Sequence, residues 1–153
     1  MIPLNLSENE CRVIGCLMEK SITTPDQYPL TLNALTNACN QKSARNPVMN
    51  LTQGEVQHAV RDLEGKHLVR CEENFNSRVE KYVQRFCNTR YSDYQFEPPQ
   101  LAIVCLLLLR GQFIDQVINL LPQHSDLDLK LPAAGLRCLL GGLFGRSQPR
   151  KFR

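Results

Sequence analysis

The residues of this sequence best suited to chemistry lie on one face of a helix predicted between Gln53 and Glu64. Gln57, His58 and Arg61 fall on the side of that helix away from its apolar positions. Gln and Arg side chains hydrogen-bond the edges of bases in the major groove of DNA. This face therefore suits recognition of double-stranded DNA, although a face that docks another protein, or a merely solvated surface, has the same composition.

Basic and amide side chains in the neighbouring segments extend this candidate surface. Such side chains hold phosphate oxygens and so orient a protein on the duplex. The residues we expect to contact nucleic acid are Lys42, Arg45, Gln57, His58, Arg61, Arg70, Asn76, Arg78 and Lys81. Three acidic residues on or beside the same surface, Glu55, Asp62 and Glu64, oppose the approach of phosphate. Two partners therefore remain open, DNA and another protein.

The electrostatic contribution to DNA binding from this surface is modest. If about four cations met phosphates, the slope of log K against log salt concentration would be near −3.6. Tight binding would then require a homodimer or further contacts.

The net charge of +3 does not by itself indicate a basic recognition surface. Up to Glu97 the chain has eleven Lys and Arg residues against twelve Asp and Glu residues, whereas from Pro98 onward it has seven against three. Much of the excess lies in the last eight residues, which include Arg146, Arg150 and Lys151. This end is either a solvated terminus or a nonspecific arm for acidic partners.

No arrangement of residues predicts an enzyme, a bound cofactor or a metal. His58 is the only histidine expected inside a helix, and no Cys or Ser is placed by spacing as its nucleophilic partner. The glycines of segment 141–145 match neither GxxxxGK[ST] nor GxGxxG. We therefore expect a protein that recognises a partner without catalysis.

Cysteine usage and hydropathy indicate the compartment. The seven cysteines are odd in number and form no CxxC pair, and no secretory signal precedes them, so we expect reduced thiols in the cytoplasm. The longest apolar run, Leu101 to Leu109, is far shorter than the roughly 20 residues of a membrane span. We expect this run to be a buried helix.

Three similar segments predict three helix starts. Ser7, Thr31 and Thr52 each follow a hydrophobic residue and precede another four positions later, which is the pattern of a capped and stapled helix. The predicted helices extend over 8–20, 32–40 and 53–64. Gly65 is expected to end the third helix in a left-handed conformation.

The pattern then changes to that of a β-hairpin. Segments 68–72 and 79–83 are rich in strand formers and flank a turn-prone stretch. Three helices followed by a hairpin predict an α+β winged helix-turn-helix fold over residues 1–92, with the third helix as recognition helix and the hairpin as wing. We expect a linker at 93–99 and a second, mainly helical unit at 100–153 that is incomplete or diverged.

Two local features have alternative roles. Tyr28, between Asp26 and Pro29, is expected to pack as a lid over the first two helices rather than to contact a ligand. The Asn-Gln-Lys segment 40–42 is expected to cap the second helix and shape the following turn rather than to bind a partner.

Several motifs resemble the YceH family of bacterial proteins. They are TTPDQYPL at 23–30, ACNQK at 38–42, PVMNL at 47–51, RVEKY at 78–82 and QRFCN at 84–88. The resemblance covers about residues 6–110 and implies a tandem winged-helix architecture in a family whose biochemical role is uncharacterised. After about Gly111 the sequence departs from the family, with no second wing or recognition helix evident, so a truncated, altered or diverged terminus remains open.

Overall fold

The computed structural model describes residues 5–74, 77–90, 92 and 94–110, with the backbone alone at 74, 77 and 78. The elements, in chain order, are α1 (Glu8–Thr23), a short 3-10 helix (Pro25–Gln27), β1 (Leu30–Thr31), α2 (Leu32–Cys39), α3 (Gln53–Gly65), β2 (Val69–Asn74), β3 (Ser77–Gln84) and α4 (Pro98–Arg110). The expected mixture of helices and an antiparallel hairpin is confirmed.

The three predicted helix starts are confirmed by their hydrogen bonds. The Ser7 hydroxyl accepts from the Glu10 N–H while the Glu10 carboxylate accepts from the Ser7 N–H, which is a capping box. Thr52 and Glu55 form the same reciprocal pair at the start of α3. Thr31 accepts from the backbone N–H of Ala34 at the start of α2. Local sequence alone therefore determines where these helices begin.

The end of α3 differs from the prediction, because Gly65 does not adopt the left-handed conformation. That conformation belongs to His67, with φ 60°. The His67 N–H donates to the Glu64 carbonyl and the Leu68 N–H to the Leu63 carbonyl, which is the hydrogen-bond pattern of a Schellman motif. The helix continues through Gly65 because the residue that packs after the turn is Leu68, three positions later.

The sheet has three antiparallel strands in the order β1-β3-β2. The hairpin of β2 and β3 lies where the sequence predicts it. Strand β1 lies in a segment predicted as loop, and it pairs Leu30 with Tyr82 and Thr31 with Lys81. Two residues carry no periodic signal, so this strand follows from tertiary pairing rather than from local sequence.

Helix α1 is the centre of the fold, since every residue from Glu10 to Glu19 is buried. It contacts α2, α3 and the sheet, and α4 packs against it as well. Gly15 marks the contact with α4, because a β-carbon there would lie 2.9 Å from Leu109 and 3.0 Å from Leu108. The Cys105 thiol donates to the Gly15 carbonyl at 3.6 Å. The absence of a side chain at Gly15 thus permits the close approach of two helices.

Helix α4 confirms that the apolar run 101–109 forms a buried helix, but the helix begins at Pro98, within the predicted linker. The side of α4 with Val104, Cys105, Leu108 and Leu109 is buried, and Cys105, Leu108 and Leu109 lie against Gly15 of α1. The remainder of the expected second unit, from residue 111, and the basic C-terminal end lie outside the described residues. The division of the chain at 93–99 stays a prediction. Among the described residues, every helix is too short or too polar to cross a bilayer.

Candidate nucleic-acid interface

Helix α3 buries its apolar side in the core and leaves its polar side exposed. Its core side consists of Val56, Ala59, Val60 and Leu63, all buried, as the sequence predicts. Arg61 is exposed on the opposite side. The polar face of α3 is therefore available to a partner.

The flank of α3 that faces the N-terminus of α1 carries two of its acidic residues. A groove of about 330 Å³ runs along this flank, lined by Ser7, Asn9, Gly54, Glu55, His58, Ala59 and Asp62. The Glu55 carboxylate accepts from the Thr52 N–H at 2.7 Å and from its hydroxyl at 2.8 Å. His58 Nδ1 lies 2.9 Å from Asp62 Oδ2. Both carboxylates thus have local partners on the side of α3 nearest α1.

The hydrogen bonds at the first turn of α3 also hold Glu55 in its charged form. The Thr52 backbone N–H and the Thr52 hydroxyl lower the pKa of the exposed Glu55 carboxyl, because both donate to the carboxylate. Glu55 is therefore committed to the helix cap, and its charge is directed at the helix end rather than outward.

The flank of α3 that faces α2 is composed of amides. Gln53 Nε2 donates to Asn33 Oδ1 of α2 at 3.1 Å. Gln57 lies one turn further along, half-buried, and Arg61 follows one turn after that. Glu64, at the far end of the helix, lies beside the hairpin. Burial is the main cause that raises the pKa of Cys71 and of Tyr82 there, Glu80 adds to it, and the charge of Glu64 contributes less. The first two turns of this flank therefore present amides and no carboxylate.

The connection between α2 and α3 changes the expected set of cations. Lys42 is exposed, as expected. Arg45, which we expected to contact phosphate, is buried, with 0% of its side chain exposed. Its guanidinium donates to both carboxylate oxygens of Glu19 in α1. Burial is the largest single influence and lowers the pKa of Arg45, but the hydrogen bonds to Glu19 and the charges of Cys16 and Glu19 together raise it by more. The interpretation of Arg45 as a phosphate contact is therefore wrong for this conformation.

The hairpin places two of the expected cations on one surface. Arg70 is exposed, and Lys81 is partly exposed. Val69 and Tyr82 point to the core, so the alternation of a strand puts Arg70 and Lys81 on the outer face. Glu72 lies directly opposite Lys81 in the register and weakens its positive field. Asn76 and the side chain of Arg78 lie outside the described residues.

Two residues of α1 that the sequence analysis did not single out shape this region. Arg12 is buried and donates to the carbonyls of Cys39 and Pro47 at 3.0 and 2.7 Å. Glu19 is the buried partner of Arg45. The signal that could have found them is a charged residue on each side of an apolar helix stripe, because a charge at a core position needs a partner.

Tyr28 and Asn40, for which the sequence allowed two roles, make contacts within the fold. Tyr28 packs against the core, and its hydroxyl accepts from the Gln84 N–H at 2.8 Å. Burial raises the pKa of Tyr28 to about 12, against the effect of that hydrogen bond. Asn40 ends α2, and its amide both donates to and accepts from the backbone of Leu51. The expectation of a packing lid and a turn-shaping segment is confirmed for Tyr28 and Asn40.

Two thiols lie within the same buried region. Cys16 of α1 and Cys39 of α2 are hydrogen-bonded to each other. Burial opposes ionisation of Cys16, but the Cys39 hydrogen bond and the Arg45 charge outweigh it and lower the pKa of Cys16. The same contact raises the pKa of Cys39, which is the donor. Within the described residues, no three His, Cys, Asp or Glu side chains converge as metal ligands.

Three helices, a short β1 and a β2–β3 hairpin, with an exposed polar α3 beside the hairpin, define a winged helix-turn-helix protein. The chain belongs to the family described as "Protein of unknown function, DUF480", which matches residues 6–124. This agrees with the motifs that resemble the YceH family, whose members carry the name UPF0502.

Comparison with relatives shows what share of their length this chain covers. It is 61% identical to a UPF0502 protein of Shewanella woodyi over 108 residues, which are 71% of this chain and 49% of that protein. A UPF0502 protein of Shewanella denitrificans is 59% identical over 108 residues, 71% of this chain and 46% of its own length. A UPF0502 protein of Vibrio cholerae serotype O1 is 56% identical over 108 residues, which are 71% of this chain and 50% of that protein. The chain thus spans about half the length of the curated relatives it matches.

Proposed function

We propose that this protein is a non-enzymatic, cytoplasmic DNA-binding protein of the regulator type, which inserts α3 into the major groove of double-stranded DNA. The observation that carries the proposal is the separation of charges on α3. Glu55 and Asp62 lie on the flank towards α1, whereas Gln57 and Arg61 lie towards the flank that faces α2.

This separation matters because a recognition helix contacts the groove with one side. The amides of Gln53 and Gln57 suit adenine edges, and Arg61 suits a guanine edge or a phosphate. Carboxylates on the same side would repel the backbone, but Glu55 is bonded to Thr52 and Asp62 to His58 on the other side. Glu55 and Asp62 are therefore turned away from the proposed contact, whereas Glu64 stays on its flank, at the end of the helix next to the hairpin.

Few cations of this surface are available to contribute to the affinity for DNA. Lys42, Arg61, Arg70 and Lys81 are the candidate cations whose side chains reach the surface of the described part of the chain. About four phosphate contacts predict a slope of log K against log salt near −3.6, which amounts to roughly a hundredfold loss of affinity between about 50 and 200 mM salt.

Fluorescence anisotropy with a labelled mixed-sequence DNA duplex tests this proposal. We expect saturable binding by the full chain at about 50 mM salt that weakens steeply at about 200 mM. Replacement of Arg61 by Gln is expected to weaken binding about tenfold and to reduce the salt slope by about 0.9 if it meets a phosphate.

The control is the neighbouring residue on the other flank. Asp62→Asn removes a negative charge beside the proposed contact, so affinity should stay equal or rise. No binding by the wild type at low salt contradicts the proposal. An Asp62→Asn loss as large as that of Arg61→Gln contradicts the assignment of the two flanks.

A second candidate function is docking of another protein, which two exposed hydrophobic side chains favour. Val48, in the turn before α3, is 57% exposed, and Val79, on β3, is 52% exposed. Both belong to segments that flank the proposed DNA surface. This function predicts that proteins captured from a bacterial lysate persist after nuclease treatment and are lost on Val48→Ser, whereas partners lost with nuclease alone support DNA.

A further inference from the structure

The turn between α2 and α3 is unusual in how it is held. It extends from Asn40 to Thr52 without a helix or strand, yet it determines where α3 begins. A connection of this length would ordinarily be mobile relative to the helices on either side. The contacts that fix it are polar and buried.

Every donor of the Arg45 guanidinium is used inside the protein. An arginine has five N–H groups. Nε donates to the Ala38 carbonyl at 3.1 Å, and the two terminal nitrogens donate to Ala44, to Gln41 and to both oxygens of Glu19. No donor is left for a phosphate, so the role of Arg45 is internal.

Three further contacts hold the turn in place. Arg12 of α1 donates to the Pro47 carbonyl, and Asn40 clamps the backbone of Leu51, the residue immediately before the α3 cap. The Asn46 N–H donates to the Leu109 carbonyl at the end of α4. The turn is thus tied to α1, α2 and α4, and Glu19 is the one carboxylate in this set of contacts.

A buried ion pair of this kind contributes little net stability. The cost of removing two charges from water offsets much of their attraction, and a well-packed apolar pair is often as stable. An apolar pair, however, cannot reproduce the hydrogen bonds of Arg45 to Ala38 and Gln41. The pair therefore provides geometry that hydrophobic packing does not.

We propose that Glu19 and Arg45 are positioning residues that fix the turn before α3 and so set the orientation of α3 for partner recognition. For DNA this inference rests on the proposed function, but the fixed turn is a property of the free protein. The two parts are therefore measured separately, in the full chain.

The test compares the single variant Arg45→Met with the double variant Glu19→Met/Arg45→Met. The single variant leaves the buried Glu19 carboxylate with only the more distant Lys20 ammonium, at 3.7 Å, so its Tm should fall by several degrees, and the double variant should recover most of that loss. Amide hydrogen exchange at Asn46 and Leu51 should nevertheless accelerate about tenfold or more in the double variant, because these N–H groups sit in the released turn.

DNA affinity provides the second readout. We expect the double variant to bind about tenfold more weakly than the wild type at a temperature where both are fully folded, which corresponds to the loss of about one base contact. If the double variant does not fold, Arg45→Lys replaces it. This variant keeps the positive charge but loses the planar guanidinium with its five donors, so we expect the same acceleration of exchange at Asn46 and Leu51.

The matched control is the double variant Glu10→Met/Lys66→Met, which removes an ion pair that joins α1 to the other end of α3. It should lower Tm without accelerating exchange at Asn46 and Leu51. Wild-type exchange rates at both amides in the Glu19/Arg45 double variant overturn the positioning role. Absence of DNA binding by the wild type overturns the proposed function instead, and the exchange result still decides this inference.

Discussion

At the scale of single residues, the sequence does not distinguish two arginines that have opposite environments. Arg45 lies in the polar stretch before α3 and Arg61 on the polar face of α3, and both were expected to contact nucleic acid. Arg45 is buried against Glu19 and Arg61 is exposed. The partner of Arg45 is 26 positions away, and no local pattern indicates a pairing over that distance.

The contribution of the Glu10 charge to stability can be measured separately from that of its capping hydrogen bond. Burial raises the pKa of Glu10, but hydrogen bonds from Lys66 and from the Ser7 backbone outweigh it and lower that pKa below 4.5. The stability contributed by the charge is therefore present above about pH 4.5 and is lost as the pH falls through the lower folded value.

Replacing Glu10 by Gln keeps the capping hydrogen bond and removes the charge. We expect the free energy of unfolding at pH 7 to fall by about 1 kcal/mol. The difference from wild type should close as the pH is lowered from about 4.5 towards 2. Urea denaturation across this range measures it, and Glu8→Gln, an exposed residue in the same turn, is the control. A difference that persists unchanged at low pH contradicts the charge-based explanation.

At the scale of secondary structure, elements with local signals could be predicted and elements that depend on distant contacts could not. The three capped helix starts and the hairpin follow from cap residues and alternation, which act within one turn or one strand. Strand β1 and the left-handed His67 follow from pairing with β3 and from packing of Leu68. The candidate surface on α3 can be predicted because cap residues and helical periodicity are local signals. The role of the α2–α3 turn cannot, because it depends on contacts with distant residues.

Two glycines within helices provide an element-scale prediction because their surroundings differ. A β-carbon at Gly15 would lie 2.9 Å from Leu109, whereas at Gly54 the nearest atom would be 3.9 Å away. Gly15→Ala should destabilise the fold by about 1–2 kcal/mol, since overpacking against α4 exceeds the gain in helix propensity.

The matched variant Gly54→Ala should instead be neutral or stabilising by about 0.5 kcal/mol. Thermal unfolding of both variants checks the pair. Equal effects at the two positions would mean that α4 does not pack on α1 at Gly15.

At the scale of the whole molecule, thiol chemistry reports whether the described core is intact. Burial raises the pKa of Cys87 and of Cys105 to about 12. At pH 8 about one thiol in ten thousand is then ionised at each site, and both are enclosed as well. We expect iodoacetamide to leave both unlabelled in the native protein and to label both in denaturant, as peptide mass spectrometry would show. Cys71, partly exposed, should be labelled before either, and labelling of Cys105 ahead of Cys71 would contradict the packing of α4.

The family relationship places this chain in a group whose described relatives are about twice as long as the matched region. The part that the structure describes contains one winged helix-turn-helix with α4 packed on α1. On the proposed function, recognition by this unit falls to α3, α2 and the strands of the hairpin, of which residues 75–76 lie outside the described part of the chain.

The most direct test of the central claim is chemical-shift mapping of the ¹⁵N-labelled protein with a mixed-sequence DNA duplex. We expect the largest shifts on the α2-facing side of the recognition unit, at Asn33, Gln53, Gln57 and Arg61. Asn9 and Asp62, on the flank towards α1, should change little. Shifts centred on that flank, or no shifts at low salt, would contradict the central claim.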